Sequence, residues 1–406
     1  MQHQAVRRPL SKCLTAAAML ALALFAVAFT SEPAHAQTLT TLYSFPGGSE
    51  GYGPYDIVLA PDGTIYGGAG YGSDCACFLL FSLSNGSETV LHRFSVPYGY
   101  QPEYAQGLIL GHNAQVLYGT SQYGGSYSGV CTPKIGCGFA FAYDLSSKQY
   151  KVLHEFAGPT EDGADPSGTQ VMDGAGNLYG LTFAGGADFN GTLYEITNKG
   201  SEKLIYSFGN APDATQPAGG LAAYGGNVYG DSIGGGANVC NNGGCGAIFE
   251  IGSTGEKVLY NFTGGADGQN PYELVGDGKG HFYGVSRSAS NVVVAVFEID
   301  ASGKFSFAYN GYFAAYIQWV IPGPNGTLYG VATGGNSSCQ PNGCGQIFQL
   351  TPTGNGNANI KVLHQFDGSD GSYPQAASLV FKNGALYGAT ATGGSANQGT
   401  IFKLVP

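Results

Sequence analysis

The chain has 406 residues, among them 68 Gly, 27 Tyr and 23 Phe, and only 11% are charged. Such a composition suits many short strands and turns and excludes a mainly helical protein. The net charge of −11, with no cluster of Lys and Arg in any loop, excludes nucleic acid as a partner.

In chain order, residues 1–36 read as a secretory signal. Arg7, Arg8 and Lys12 precede the apolar run from Leu14 to Phe29, and Ala34-His35-Ala36 has the small-x-small form of a cleavage site. An uncleaved anchor is the alternative, but the run is short for a span of about 20 residues. Cleavage before Gln37 would leave 13 Lys and Arg against 26 Asp and Glu, a net of −13. No membrane span is expected after cleavage. Residues 37–406 continue without a linker of changed composition and are expected to form a single domain.

From Gln37 onward the chain repeats. A Tyr-Gly pair recurs at Tyr66, Tyr118, Tyr179, Tyr229, Tyr283, Tyr329 and Tyr387, each after a short apolar run and a turn such as Asp62-Gly63 or Asn383-Gly384. Each unit offers four short strands, here lettered a to d. Strand a is an apolar run such as Gly107-Leu108-Ile109-Leu110, and b carries the Tyr-Gly. Strand c resembles Gly191-Thr192-Leu193-Tyr194, and d resembles Val152-Leu153-His154-Glu155-Phe156. A period near fifty residues with four strands per unit predicts propeller blades, and seven of them. The chain opens on a lone d strand, Thr38 to Phe45, and ends on a lone c strand at Leu404. Pairing the two predicts an all-β, closed seven-bladed propeller whose last blade is completed by the N-terminal strand.

The pattern G-x-L-Y-G-x-T-x-x-G-G, followed by G-T-[IVL]-[FY]-x-[IL], V-L-[HY]-x-F and D-G-x-x-P, resembles the GloVer (choice-of-anchor tandem repeat) family of secreted bacterial proteins. The closest unit is Gly384 to Leu404, and the stretch from Ser286 to Trp319 departs furthest. The resemblance implies an exported repeat protein without an assigned biochemical role, often bearing a surface anchor, and it brings no catalytic residues.

Eight cysteines follow the signal, paired within the loops between strands b and c: Cys75 with Cys77, Cys131 with Cys137, Cys240 with Cys245, and Cys339 with Cys344. Local disulfides pinning enlarged loops are expected in an exported chain. Zinc is the rival, but two thiols per loop are too few for a closed site. For Cys75 and Cys77 an i to i+2 bridge would be strained, so that pair is expected to be reduced or labile.

Other apparent motifs dissolve into the repeat. Gly230-Asp231-Ser232-Ile233-Gly234 matches a nucleophile elbow but sits on an ordinary b strand. His92, His154 and His364 share a d-strand position with Tyr43, Tyr206 and Tyr260, which favours packing between blades over an acid-base set. The d-to-a loops carry Glu50, Asp162, Asp213, Asp267 and Asp370. Turn chemistry is the plain reading of these acids, and weak cation binding the alternative. No cofactor, resident metal or catalytic constellation is read, and a monomer is expected.

Two functions remain. The favoured one is a non-enzymatic secreted or periplasmic binding module that takes a glycan, polymer or protein on the face bearing the b–c and d–a loops. The alternative is a propeller lyase or hydrolase with a site at the central channel mouth. It would require His, Glu or Arg converging on the axis, and strands a and b supply almost none. The candidate ligand site is the break in the repeat, where Tyr312, Phe313 and Tyr316 lead to Trp319, the only tryptophan.

Overall fold

A glycine explains each Tyr-Gly pair. In strand b the Gly lies directly opposite the central aromatic of strand c: Gly67 with Phe81, Gly119 with Phe141, Gly180 with Tyr194, Gly230 with Phe249, Gly284 with Phe297, Gly330 with Phe348 and Gly388 with Phe402. A Cβ at these glycines would come 2.1 Å from Tyr194 Oη and 2.3–2.6 Å from the six Phe rings. The aromatic side chain therefore occupies the space that any larger residue would need.

The structure, a computed structural model, describes residues 37–72, 77–94, 105–125, 131, 136–240, 243–290, 293–311, 317–335, 339, 343–375 and 378–406. Its described residues contain no α-helix, and no helix among them is long and apolar enough to cross a membrane. Blade 1 comprises strands a (Tyr52–Leu59), b (Ile65–Tyr71), c (Cys77–Ser84) and d (Ser87–Arg93), hydrogen-bonded in that order. The same antiparallel order recurs in blade 2 (105–155), blade 3 (163–207), blade 4 (221–261), blade 5 (269–309) and blade 6 (317–365). In blade 7 strand a is split into Ser372–Pro374 and Val380–Lys382, both pairing with b (Ala385–Thr392).

The last blade takes its outer strand from the other end of the chain. Thr38–Ser44 lies antiparallel to strand c of blade 7 (Thr400–Val405), with Thr38 opposite Val405 and Ser44 opposite Thr400. The seven-bladed ring is thus closed, as the lone d and c strands predict.

The core sits between blades rather than within one. Each of seven clusters of buried apolar side chains lies at one junction of the ring, from blade 7 against 1 (Phe45, Phe81, Ile401) to blade 6 against 7 (Tyr329, Phe366, Phe402). At six junctions the Phe that ends strand d packs edge-on against the next blade's central c aromatic. Examples are Phe45 on Phe81 with centroids 5.2 Å apart, Phe156 on Tyr194 at 5.0 Å and Phe366 on Phe402 at 5.4 Å. Such a pair adds about 0.5–1.5 kcal/mol beyond the area it buries. Blade 5 has Gly311 at this position, which is where the repeat breaks, yet its d strand (Phe305–Tyr309) still pairs with c.

Candidate functional site

The loop face is built by contacts that repeat from blade to blade. At five junctions the residue before the proline that opens strand a donates its amide to a carbonyl of the preceding b–c loop: Gly53 to Gln398, Asp165 to Cys137, Gln216 to Asn190, Asn270 to Cys245 and Tyr373 to Cys344, at 2.7–2.9 Å. Four of these residues are not glycine yet have φ of 47–56°. Left-handed backbone at a non-Gly residue is uncommon, and here it turns the chain from loop into inner strand.

The disulfides belong to the same construction. Cys131–Cys137, Cys240–Cys245 and Cys339–Cys344 are bonded, each within its own b–c loop, as their spacing predicts. Each lies against a glycine of the d–a loop of its own blade. A Cβ on Gly158 would sit 3.3 Å from both sulfurs of the first bridge, one on Gly264 2.7 Å from Cys240 Sγ, and one on Gly368 3.4 Å from Cys339 Sγ. Both kinds of loop therefore share one face and are pinned to each other. Cys77, a disulfide candidate, is buried and disulfide-bonded; Cys75 lies outside the described residues.

Among the described residues, two large apolar side chains stand exposed on this face. Phe189, in the b–c loop of blade 3, is 58% exposed at a φ of 64°, and Val239, in the corresponding loop of blade 4, is 91% exposed. The aromatic candidates fare differently. Tyr312, Phe313 and Tyr316 lie outside the described residues. Trp319, on strand a of blade 6 (Ile317–Pro322), is 5% exposed and packed among Ile321, Tyr329 and Leu379, so it is a core ring and not a platform for a ligand.

The inner strands hold ionisable groups that the repeat pattern hides. Asp56 and Glu273 occupy equivalent positions on strand a of blades 1 and 5, after Pro54-Tyr55 and Pro271-Tyr272, while Asp231 and Arg287 are on strand b of blades 4 and 5. All three acids are buried. Burial pushes Asp56 up to about 7 despite the amides of Leu108 and Gly107, and pushes Glu273 up to about 8, with the Asp56 charge adding to the rise. Asp231 is raised well above the carboxylate range by burial and then by Glu273. The Arg287 guanidinium lies 5.1 Å over the Tyr272 ring. The expectation that strands a and b carry almost no such groups is corrected by these residues; the recurring Pro-Tyr-acid was the signal for two of them. Ser232, by contrast, is fully buried at the end of strand b, donating to Gly234 O at 3.0 Å and accepting the Ala247 amide, so it presents no nucleophile.

The d–a acids are clasps as well as turn residues. Tyr206 Oη donates to Asp213 and Tyr260 Oη to Asp267, both at 3.0 Å, while His154 Nε2 lies 3.1 Å from Asp162 and His364 Nε2 2.6 Å from Asp370. The same carboxylates cap their own loops, accepting the amides of Gly209, Thr263, Ala157 and Asp367. Each d-strand ring also packs edge-on against the Phe two residues on, as His154 does on Phe156 at 4.8 Å. Burial lowers His154, but the hydrogen bond and charge of Asp162 outweigh it and raise the imidazole overall.

A profile of the Gloeobacter/Verrucomicrobia repeat matches residues 26–241 and 131–338. The chain belongs to this repeat family. A comparison with curated proteins finds no match. Among solved structures the fold is similar to a streptogramin B lyase, with a TM-score of 0.57 and 16% identity over 91% of this chain and 97% of that one. It is similar also to a catalytically inactive histidine-to-alanine variant of virginiamycin B lyase from Staphylococcus aureus with quinupristin (TM-score 0.59, 15% identity, 91% of this chain and 99% of that one). A third is the β-propeller domain of the trilobed protease from Pyrococcus furiosus, described as an open velcro topology (TM-score 0.53, 8% identity, 87% and 95%). At these identities the likeness is one of fold. For this member of the repeat family, the antiparallel pairing of Thr38–Ser44 with Thr400–Val405 makes the ring closed.

Proposed function

We propose that this chain is an exported, non-enzymatic binding propeller, secreted or periplasmic after loss of residues 1–36, that takes a glycan, polymer or protein on the face built from its b–c and d–a loops. The observation that carries the reading is the pair Phe189 and Val239, exposed on the b–c loops of adjacent blades. Exposed apolar groups on a rigid support bind with little entropy to lose. The Cys240–Cys245 bridge resting on Gly264 supplies that support beside Val239, the bond from the Gln216 amide to Asn190 O holds the loop of Phe189, and the three bridges suit an oxidising compartment.

The test is a glycan array and a polysaccharide retention assay with the oxidised chain from residue 37, repeated with Phe189→Ala, Val239→Ser and, on the opposite a–b turn, Tyr224→Ala. Binding weakened tenfold or more by the first two at unchanged melting temperature, and unaffected by the third, supports the loop face. A ligand insensitive to both loop-face changes overturns it.

A lyase or hydrolase at the channel mouth is the second reading, favoured by the buried Asp56 and Glu273 on inner strands. Among the described residues the histidine on an inner strand is His281, at the start of strand b of blade 5 with its Nδ1 2.9 Å from Glu298, and the lyase variant above with a histidine replaced by alanine is catalytically inactive. Turnover of quinupristin or of a glycan panel, abolished by Glu273→Gln, would favour this reading.

A further inference from the structure

The junctions between blades share a three-part plan. A ring from strand d of one blade meets the acid of the following d–a loop, and both face a side chain near the start of strand d in the next blade. At blade 7 to 1 the parts are Tyr43, Glu50 and Glu88; at 3 to 4 they are Tyr206, Asp213 and Glu256. At 4 to 5 the third part is Phe305, stacked on Tyr260 with centroids 4.0 Å apart, and at 1 to 2, where the d–a loop lies outside the described residues, Tyr150 holds that place, stacked on His92 at 4.1 Å. Strand pairing places Leu39 in that slot beside His364 and Asp370.

Blade 2 to 3 differs from all of these. His154, Asp162 and Glu202 bring one imidazole and two carboxylates together, with one ligand atom from each lying within 4.8 Å of the others. Where Tyr stands in place of His154, its hydroxyl donates a hydrogen bond to the acid; an imidazole nitrogen can instead offer a lone pair. We propose that His154, Asp162 and Glu202 bind a first-row divalent metal ion such as zinc, which staples blade 2 to blade 3 at the rim of the ring.

The geometry suits this. Tetrahedral zinc with bonds of about 2.0–2.1 Å to nitrogen and oxygen separates its ligand atoms by about 3.3 Å, close to the 3.1 Å between His154 Nε2 and Asp162 Oδ2. Asp162 is already oriented by the Ala157 and Gly163 amides, as an outer shell orients a ligand. The side chains of His154 and Asp162 are 21% and 17% exposed, which leaves a path from solvent and a fourth position for water. One imidazole with two carboxylates favours zinc or a neighbouring transition metal over calcium, which prefers six to eight oxygens.

The experiment uses the chain from residue 37, stripped with chelator and freed of any affinity tag, titrated with zinc by calorimetry and with cobalt by visible absorption. One zinc per chain and a tetrahedral cobalt spectrum are expected. His154→Tyr, which copies the neighbouring junction and so should fold, is expected to weaken binding at least tenfold, as is Glu202→Gln. His364→Tyr, at a junction without the third ligand, should leave one zinc bound. Zinc should raise the melting temperature of the parent and of His364→Tyr but not of His154→Tyr. No saturable binding by the parent, or equal binding by His154→Tyr and Glu202→Gln, overturns the site and leaves a hydrogen-bonded clasp.

Discussion

Asp56 in the inner strand of blade 1 accepts the amide of Leu108 in the inner strand of blade 2, with its Oδ2 2.8 Å from the nitrogen. Two junctions on, Thr169 Oγ1 accepts the Leu221 amide at 3.0 Å, from the equivalent position of blade 3 to that of blade 4. A polar side chain thus latches one inner strand to the next where the two backbones meet. Asp56→Ala should leave the Leu108 amide buried without an acceptor and cost about 1–3 kcal/mol. Asp56→Asn keeps a carbonyl oxygen and should cost much less. Urea unfolding of the two variants checks the difference; equal losses would assign the effect to packing.

Buried acids should make the fold most stable in mild acid. Asp56 and Glu273 ionise near 3.8 and 4.5 in an unfolded chain but near 7 and 8 here. Between those limits the native state holds protons that the unfolded state has released. The contribution is fully present below the unfolded values and is lost as pH rises through the folded ones, at up to about 1.4 kcal/mol per pH unit for each proton retained. Unfolding free energy measured at pH 5 should therefore exceed that at pH 8, and Glu273→Gln should flatten the slope. A stability that climbs from pH 5 to 8 would mean that these carboxyls are ionised in the native state.

The disulfides should matter more to the face than to the fold. They close loops of only five or six residues, and the blades without them use the same carbonyl-to-amide bond, as Asn190 does with Gln216. Converting Cys240 and Cys245 to Ser should cost less than the roughly 2–5 kcal/mol typical of a small disulfide-built domain. Proteolysis should then cut first in the 236–246 loop. A global loss of folding would show that these bridges hold the ring.

The ring was legible because its rules are local. Gly opposite an aromatic, as at Gly230 and Phe249, and Phe at the end of strand d recur at fixed offsets, so the period itself announces the blade. Ligand chemistry has no such period. Trp319 is conspicuous by being single, but it pairs with Val331 as an inward strand-a residue, a register that binary patterning around a degenerate blade does not reveal. Glu273 and Asp56 are paired with nothing in sequence, since they come together only when blades 1 and 5 face each other across the ring. His154 and Glu202 are 48 positions apart, brought together by the repeat rather than by any motif.

Closure by the N-terminal strand makes the sharpest demand. Removing residues 38–45 takes away strand d of blade 7 and with it Phe45, a fully buried ring that packs on Phe81 of blade 1. Strand c at Thr400–Val405 would then present an unpaired edge, the junction between blades 7 and 1 would lose its central aromatic pair and Tyr43, and that between blades 6 and 7 would lose the partly buried Leu39. Losing one such buried Phe costs about 3–5 kcal/mol by analogy with core truncations, and an open edge recruits other chains. The truncated chain should elute as aggregates and melt earlier than the parent. Because strand d elsewhere follows strand c through a tight turn, appending residues 38–45 after Pro406 through a short Gly-containing turn should restore the same antiparallel pairing, the elution of the parent and most of the lost stability. A truncated chain that elutes as the parent does with an unchanged melting temperature would show that the ring does not depend on the pairing of Thr38 with Val405. Failure of the appended strand to rescue an aggregated truncation would show that order of synthesis, and not only the final pairing, is needed to close it.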